Sequence, residues 1–194
     1  LVTYSFLTQP PEGHAYTQIL WTWVSVGGFH PNVAFYLDSL SLVMTCVVTG
    51  VGFLIHVYSI EYMGSDKDFA RFFACMNLFV FAMLCIVLAD NLLLLFLGWE
   101  GVGFCSYALI GYWFGEEKNA LAGRKAFLVT RVGDVFLGLA LLWLFAATGS
   151  LSLSAINALG PTIPMATVTA IGLLLLLGAC GKSAQVPLHV WLPD

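Results

Sequence analysis

Five apolar stretches, near residues 38–60, 70–89, 91–114, 124–147 and 164–185, dominate the sequence, and each is long enough to cross a lipid bilayer. At about 1.5 Å of rise per residue, roughly 20 residues cover the roughly 30 Å of hydrocarbon. No water is available there for backbone N–H and C=O groups, so a spanning segment satisfies them internally as a helix. The composition agrees. Hydrophobic residues make up 60% of the chain and charged residues 9%, with mean hydropathy +0.91; soluble domains carry about 25% charged residues. The expected fold is an all-α membrane protein, a polytopic bundle of about five transmembrane helices over residues 38–194.

Residues 1–37 have a different pattern. Aromatics alternate with polar residues in "QILWTWVSV", and turn signals flank the run at Gln9-Pro10-Pro11 and Gly27-Gly28. A β-hairpin-like segment or loop outside the membrane is expected, with "LWTWVSV" suited to the interface that Trp rings favour. Asp38 and the serines after it resemble an N-cap for the first span. The stretch "GSLSLSAINALGPTIP" has room for a short interfacial helix. Leu1 in place of an initiator Met, and the apolar run leading directly into "SAQVPLHVWLPD", suggest an internal piece truncated at both ends.

Charge gives orientation. Five of the seven Lys and Arg residues (Lys67, Arg71, Lys118, Arg124 and Lys125) lie in or beside the linkers after the first and third spans. Alternation of five spans puts those linkers on one face. The positive-inside rule assigns that face to the cytoplasm or matrix, and the N-terminal segment to the opposite side. A net charge of −4 with no basic patch argues against nucleic-acid partners. The five cysteines fall inside apolar runs without C-x-x-C spacing, which suits buried, small side chains. His56 suits helix packing, and His14, His30 and His189 suit loops. Gly98, Gly101 and Gly103 form no nucleotide-binding fingerprint and suit close helix contact. No flavin, haem or iron–sulfur motif is present.

The remaining charges lie inside the spans: Glu100, Arg131, Asp134 and Lys182. Glu100 is about 15 Å into its helix from Asp90, and Asp134 about 14 Å in from Lys125 at the opposite face. Counting places Lys182 nearer the basic face, unless its helix tilts or breaks near the Gly-Lys-Ser step. A charge at mid-bilayer costs roughly 2.5–3.5 kcal/mol, so four facing lipid alone would cost about 10–14 kcal/mol. They must therefore pair or line a wet cavity. Ion pairs that only lock the bundle are one reading. Because replacing buried pairs by apolar residues is often neutral, a proton path is the stronger one, with proton affinities set by burial and by neighbouring charge.

"ADNLLLLFLGWEGVGFCSYALIGYWF", "KAFLVTRVGDVFLGLAL", "RFFACMNLF" and "GKSAQVPLHVWLPD" together closely resemble the antiporter-like subunit L (chain 5) family of respiratory complex I, the proton-pumping NADH:quinone oxidoreductase. The resemblance extends over essentially the whole chain. It implies a translocase subunit without a redox centre or cofactor of its own, the FMN, iron–sulfur clusters and quinone belonging to partner subunits. It implies that Glu100 pairs with Lys182, that Asp134 and Arg131 modulate that pair, and that the helix bearing Lys182 is broken in mid-membrane. It implies other membrane subunits, lipid, water and protons as partners, and a bacterial cytoplasmic or mitochondrial inner membrane as location. The family's first helix pair, later spans and lateral helix are expected to lie outside this stretch. Two rivals stand beside this reading: the large subunit of a multisubunit Na⁺/H⁺ antiporter or of a membrane-bound hydrogenase, and a purely structural membrane scaffold.

Overall fold

A computed structural model describes residues 5–6, 8, 15–27 and 29–194. The Gln9-Pro10-Pro11 turn, His14 and Gly28 lie outside the described residues. Two antiparallel strands, β1 (Tyr16–Thr22) and β2 (Asn32–Leu37), precede the helices, with Tyr16 opposite Leu37 and a register shift between Ile19 and Trp21. Helices α1 (Ser39–Tyr62), α2 (Phe69–Val87), α3 (Leu92–Ile110), α4 (Glu117–Thr148), α5 (Leu153–Leu159) and α6 (Met165–Lys182) follow. All but the short α5 are long and apolar enough to cross a membrane.

The helix ends have local causes. Asp38 caps α1: its carboxylate accepts from Ser41 N at 2.8 Å, while Asp38 N donates to Ser41 Oγ at 2.7 Å. Asn91 caps α3 by accepting from Leu94 N at 3.0 Å. The apolar stretch expected to run to residue 114 is helical only to Ile110, and residues 111–114 form turns. Conversely, α4 begins at Glu117, well before the expected residue 124. Its first turns, "EKNALAG", are rich in strong helix formers, so the helix continues past the hydrocarbon boundary to a length of about 48 Å.

The helices form a chain of neighbours: α1 packs on α2, α2 on α3, α3 on α4, and α4 on α6. The main apolar cluster joins Leu92, Leu137, Ala140, Leu141, Leu144 and Ile171, from α3, α4 and α6. Missing side chains permit two of these crossings. A Cβ on Gly98 would stand 2.8 Å from the Ala82 carbonyl oxygen of α2, and one on Gly133 would stand 3.0 Å from Gly181 Cα of α6. Such seams are how membrane helices approach closely without a hydrophobic drive between them.

The two ends of the bundle are closed differently. At the hairpin end the closure is mostly backbone. Tyr36 N donates to Leu88 O at 2.8 Å, Asp90 N to Ala34 O at 3.2 Å, Leu92 N to Leu151 O at 2.9 Å and Leu153 N to Asp90 O at 3.1 Å. The Asn91 amide adds a bond to Asn32 O at 2.8 Å. At the basic end the closure is made by side chains. Trp113 Nε1 donates to Asp66 at 2.8 Å, the Tyr112 hydroxyl donates to Asp68 O at 2.8 Å, and Arg71 donates to Asp68 at 3.1 Å and to Tyr112 O at 3.2 Å. Arg71 also lies 4.6 Å from the Tyr112 ring centroid and 4.9 Å from that of Phe114.

The Trp113 indole, then the Asp68 backbone N–H, hold the Asp66 carboxyl below its ordinary value of 3.8. A depressed carboxylate stabilises the folded state above its unfolded value, and that contribution is lost as pH falls through the folded one. Acidification below about pH 3.8 is therefore expected to release Trp113. Tryptophan fluorescence of the full-length chain in detergent should report the release, and Asp66→Asn should remove the acid-dependent change.

Candidate functional site: a row of four intramembrane charges

The structure brings Glu100, Arg131, Asp134 and Lys182 into one row. Arg131 Nη1 donates to Glu100 Oε2, Arg131 Nε lies 3.9 Å from Asp134 Oδ2, and that same oxygen lies 3.6 Å from Lys182 Nζ. Charge alternates along the row, and with every group in its ordinary state it sums to zero. Asp134 is the buried centre, 2% exposed, whereas Arg131 reaches the bundle surface. Helix geometry explains the inner contacts. Arg131 and Asp134 are i, i+3 on α4, so they share a face and one guanidinium spans both carboxylates.

The direct Glu100–Lys182 pair implied by the resemblance is not the arrangement found. Lys182 has Asp134 as its ion partner, and Glu100 has Arg131. The cause lies in the rotation of α3. The face toward Lys182 carries Trp99 and Gly103, one turn apart. The Lys182 ammonium is 6.0 Å from the Trp99 ring centroid. A Cβ on Gly103 would stand 2.5 Å from Nζ. Glu100 is turned about 100° from Trp99 and meets Arg131 instead. Neither Trp99 nor Gly103 figures among the candidate residues drawn from sequence. The signal available was the i, i+4 spacing of an indole and a glycine flanking an intramembrane acid.

Lys182 ends its helix level with the middle of α3 and α4, against Gly103 and beside the Gly133–Gly181 crossing. The chain leaves α6 after Lys182, with Ser183 at the cap and Ala184 in the left-handed region at φ +50°. The break thus precedes Pro187. The ammonium sits at the negative end of the helix dipole. One orphaned carbonyl of that end is satisfied from downstream, as Trp191 Nε1 donates to Gly181 O at 3.1 Å. Residues 183–194 then continue on to the basic end, where Lys125 pairs with Asp194 at 2.7 Å.

Trp99 Nε1 donates to Asp134 Oδ1 at 2.6 Å. The other Asp134 oxygen and Lys182 Nζ are both buried, and neither has a hydrogen-bond partner. Each retains bonding capacity directed toward the other across a gap of 3.6 Å. The other titratable groups stand apart from the row. His56 Nδ1 bonds Gly52 O at 2.7 Å and its ring lies 5.9 Å from that of Phe73, a helix-packing role. His30 contacts Ser25 at 2.9 Å in the hairpin loop, and His189 is exposed in the turns after α6. Cys85, Cys105 and Cys180 are buried, whereas Cys46 faces outward from α1. Among the described residues no three His, Cys, Asp or Glu side chains gather at metal-binding distance.

Comparison with known proteins places the chain in a family. A family model described as NADH:quinone oxidoreductase/Mrp antiporter, TM, matches residues 89–194. A second, described as NADH-Ubiquinone oxidoreductase (complex I), chain 5 N-terminus, matches residues 23–73. The chain is 50% identical to NADH-quinone oxidoreductase subunit L of Pseudomonas aeruginosa, over 98% of its own length and 32% of that protein's. It is 52% identical to the subunit of the same name from Escherichia coli, over 92% of its length and 30% of the relative's. It thus spans about a third of the curated relatives it matches. Among solved structures, the Mrp complex from Dietzia sp. superposes with a TM-score of 0.86 at 28% identity, over 100% of this chain and 21% of that one. An archaeal membrane-bound sulfane sulfur reductase superposes at 0.74 with 26% identity, over 100% of this chain and 30% of that one. The chain is a multi-pass membrane protein that belongs to the NADH:quinone oxidoreductase/Mrp antiporter transmembrane family.

Proposed function

We propose that this chain is a proton-conducting part of the membrane arm of an NADH:quinone oxidoreductase, working as subunit L does in name. The single observation that carries the reading is the alternating row, in which two buried and incompletely bonded groups, Asp134 and Lys182, face each other between α4 and α6. Glu100 is the acid that takes up and releases the proton. While it is ionised, Arg131 is held on it. When it is protonated, that attraction falls and the guanidinium is free to close on Asp134, already 3.9 Å away. Asp134 then has two cations competing for one unsatisfied oxygen, and its hold on Lys182 weakens. The ammonium, desolvated by its surroundings, is then prepared to give up a proton. Water reaching Lys182 as the pair, 3.6 Å apart when closed, separates is the carrier. NADH oxidation, with flavin and iron–sulfur chemistry, and quinone reduction belong to partner subunits, in a bacterial cytoplasmic or mitochondrial inner membrane.

Glu100→Gln and Lys182→Ala, made in the full-length subunit within the assembled complex, test the reading. Each is expected to lower NADH-driven proton translocation by about tenfold or more, as removal of a charge-assisted contact does. Full translocation in both variants removes the relay. The likeness to the Mrp complex at a TM-score of 0.86 supports a second reading, the large subunit of a multisubunit Na⁺/H⁺ antiporter. Proton movement in vesicles driven by a Na⁺ gradient, without NADH, would favour it.

A further inference from the structure

We propose that Trp99 is the positioning residue of the charged row: its indole N–H fixes one oxygen of Asp134, so that the other is presented to Lys182 and Arg131 together. The inference rests on the relay reading and adds to it a residue that carries no charge.

The geometry is specific. Trp99 Nε1 and Asp134 Oδ1 are 2.6 Å apart, slightly inside the usual range of charge-assisted N–H···O contacts. An aspartate carboxylate turns about its last bond in a broad, roughly two-fold well, so a free carboxylate does not choose which oxygen faces which partner. One strong donor removes that freedom. The second oxygen accepts no hydrogen bond and has two ionic neighbours, Lys182 Nζ at 3.6 Å and Arg131 Nε at 3.9 Å.

The indole is itself partly buried and packed. Its ring packs against the apolar cluster of Leu92, Leu137, Ala140, Leu141, Leu144 and Ile171. An N–H on a ring packed against a core has fewer directions open to it than one on a long flexible side chain. The same ring turns its face to the Lys182 ammonium at 6.0 Å, within the range at which a cation is attracted to an aromatic surface. Trp99 therefore touches both members of the buried pair. It also precedes Glu100 in the chain, so any rotation of α3 that moves the acid off Arg131 also carries the indole across Asp134. A tryptophan kept only for bulk has no need of this aim; any acceptor would satisfy its N–H.

The test exchanges one atom. Nonsense suppression at position 99 of the full-length subunit, in the assembled complex, introduces β-(3-benzothienyl)alanine, in which sulfur replaces the N–H at nearly constant ring volume. Tryptophan inserted by the same route is the control, and Trp99→Phe is the genetically simpler companion. Infrared difference spectra read the Asp134 carboxylate bands, assigned by their loss in Asp134→Asn, and vesicles read NADH-driven proton translocation per assembled complex. The isostere is expected to shift the Asp134 bands and to lower translocation about tenfold, the loss associated with one hydrogen bond to a charged group. Unchanged Asp134 bands overturn the proposal, as do shifted bands with undiminished translocation. Glu100→Gln and Lys182→Ala in the same vesicles keep the two claims apart. If those variants pump normally the relay fails, and the infrared shift still reports whether the indole holds Asp134.

Discussion

Asp134→Asn is expected to destabilise the full-length subunit by about 3–5 kcal/mol, because it removes one partner of a buried ion pair and leaves the other uncompensated. Asn keeps an oxygen for the Trp99 N–H, so the change is in charge more than in shape. Lys182 then has no anion within contact. Arg131 keeps Glu100. Adding Lys182→Met removes the stranded ammonium, and the double variant should recover most of the lost stability, since apolar replacement of a whole buried pair is often neutral. The measurement is unfolding in detergent around the four-variant cycle, where contacting residues typically couple by about 0.5–3 kcal/mol. A single variant within 1 kcal/mol of wild type would mean that the pair contributes nothing. The double variant also separates the scaffold reading from the relay. If the charges only hold helices together, recovered stability brings recovered proton translocation. If they conduct, the protein is stable and silent.

Gly103→Ala should have the opposite profile, a small effect on stability and a large one on transport. The added Cβ would lie 2.5 Å from Lys182 Nζ, a distance that no ammonium tolerates. The atom displaced is the tip of a flexible side chain, so the helices need not separate. Alanine is also the better helix former by about 1 kcal/mol. The ammonium, though, must leave its place between the Trp99 ring and Asp134. A misplacement on the order of 1 Å at a reacting group can cost about 100-fold, and a loss of translocation of about 10–100-fold is expected on the same grounds. Comparing translocation with the thermal midpoint of the same preparation checks both halves. If alanine unfolds the subunit, the glycine serves helix packing. If translocation is untouched, the seat of the ammonium is elsewhere.

How much of this was legible in the sequence depended on what each feature requires. Membrane-spanning helices show in length and composition, because lipid leaves a spanning backbone few other solutions. Local caps such as Asp38 with Ser41 show because both partners lie within one turn. The ends of α3 and α4 did not follow hydropathy. Tyr112 and Trp113 are apolar enough to be counted into a span, yet they bond Asp66 and Asp68 in a neighbouring linker. The stretch "EKNALAG" is helical although its hydropathy does not mark it as part of a span. That four charges must meet could be argued from cost alone. Who meets whom could not, because partner choice depends on how each helix is rotated about its axis. A rotation of 100° separates Trp99 from Glu100, and with it Lys182 from its expected partner.

A string of two anions and two cations is electrically silent until something is added to it. One extra hydrogen ion leaves an unbalanced unit of positive charge, in surroundings where such a charge costs several kcal/mol wherever along the string it is drawn. A second would meet that repulsion at every position. On the proposed relay the string is a turnstile with room for one passenger, and arrival at the Glu100 end favours departure from the Lys182 end.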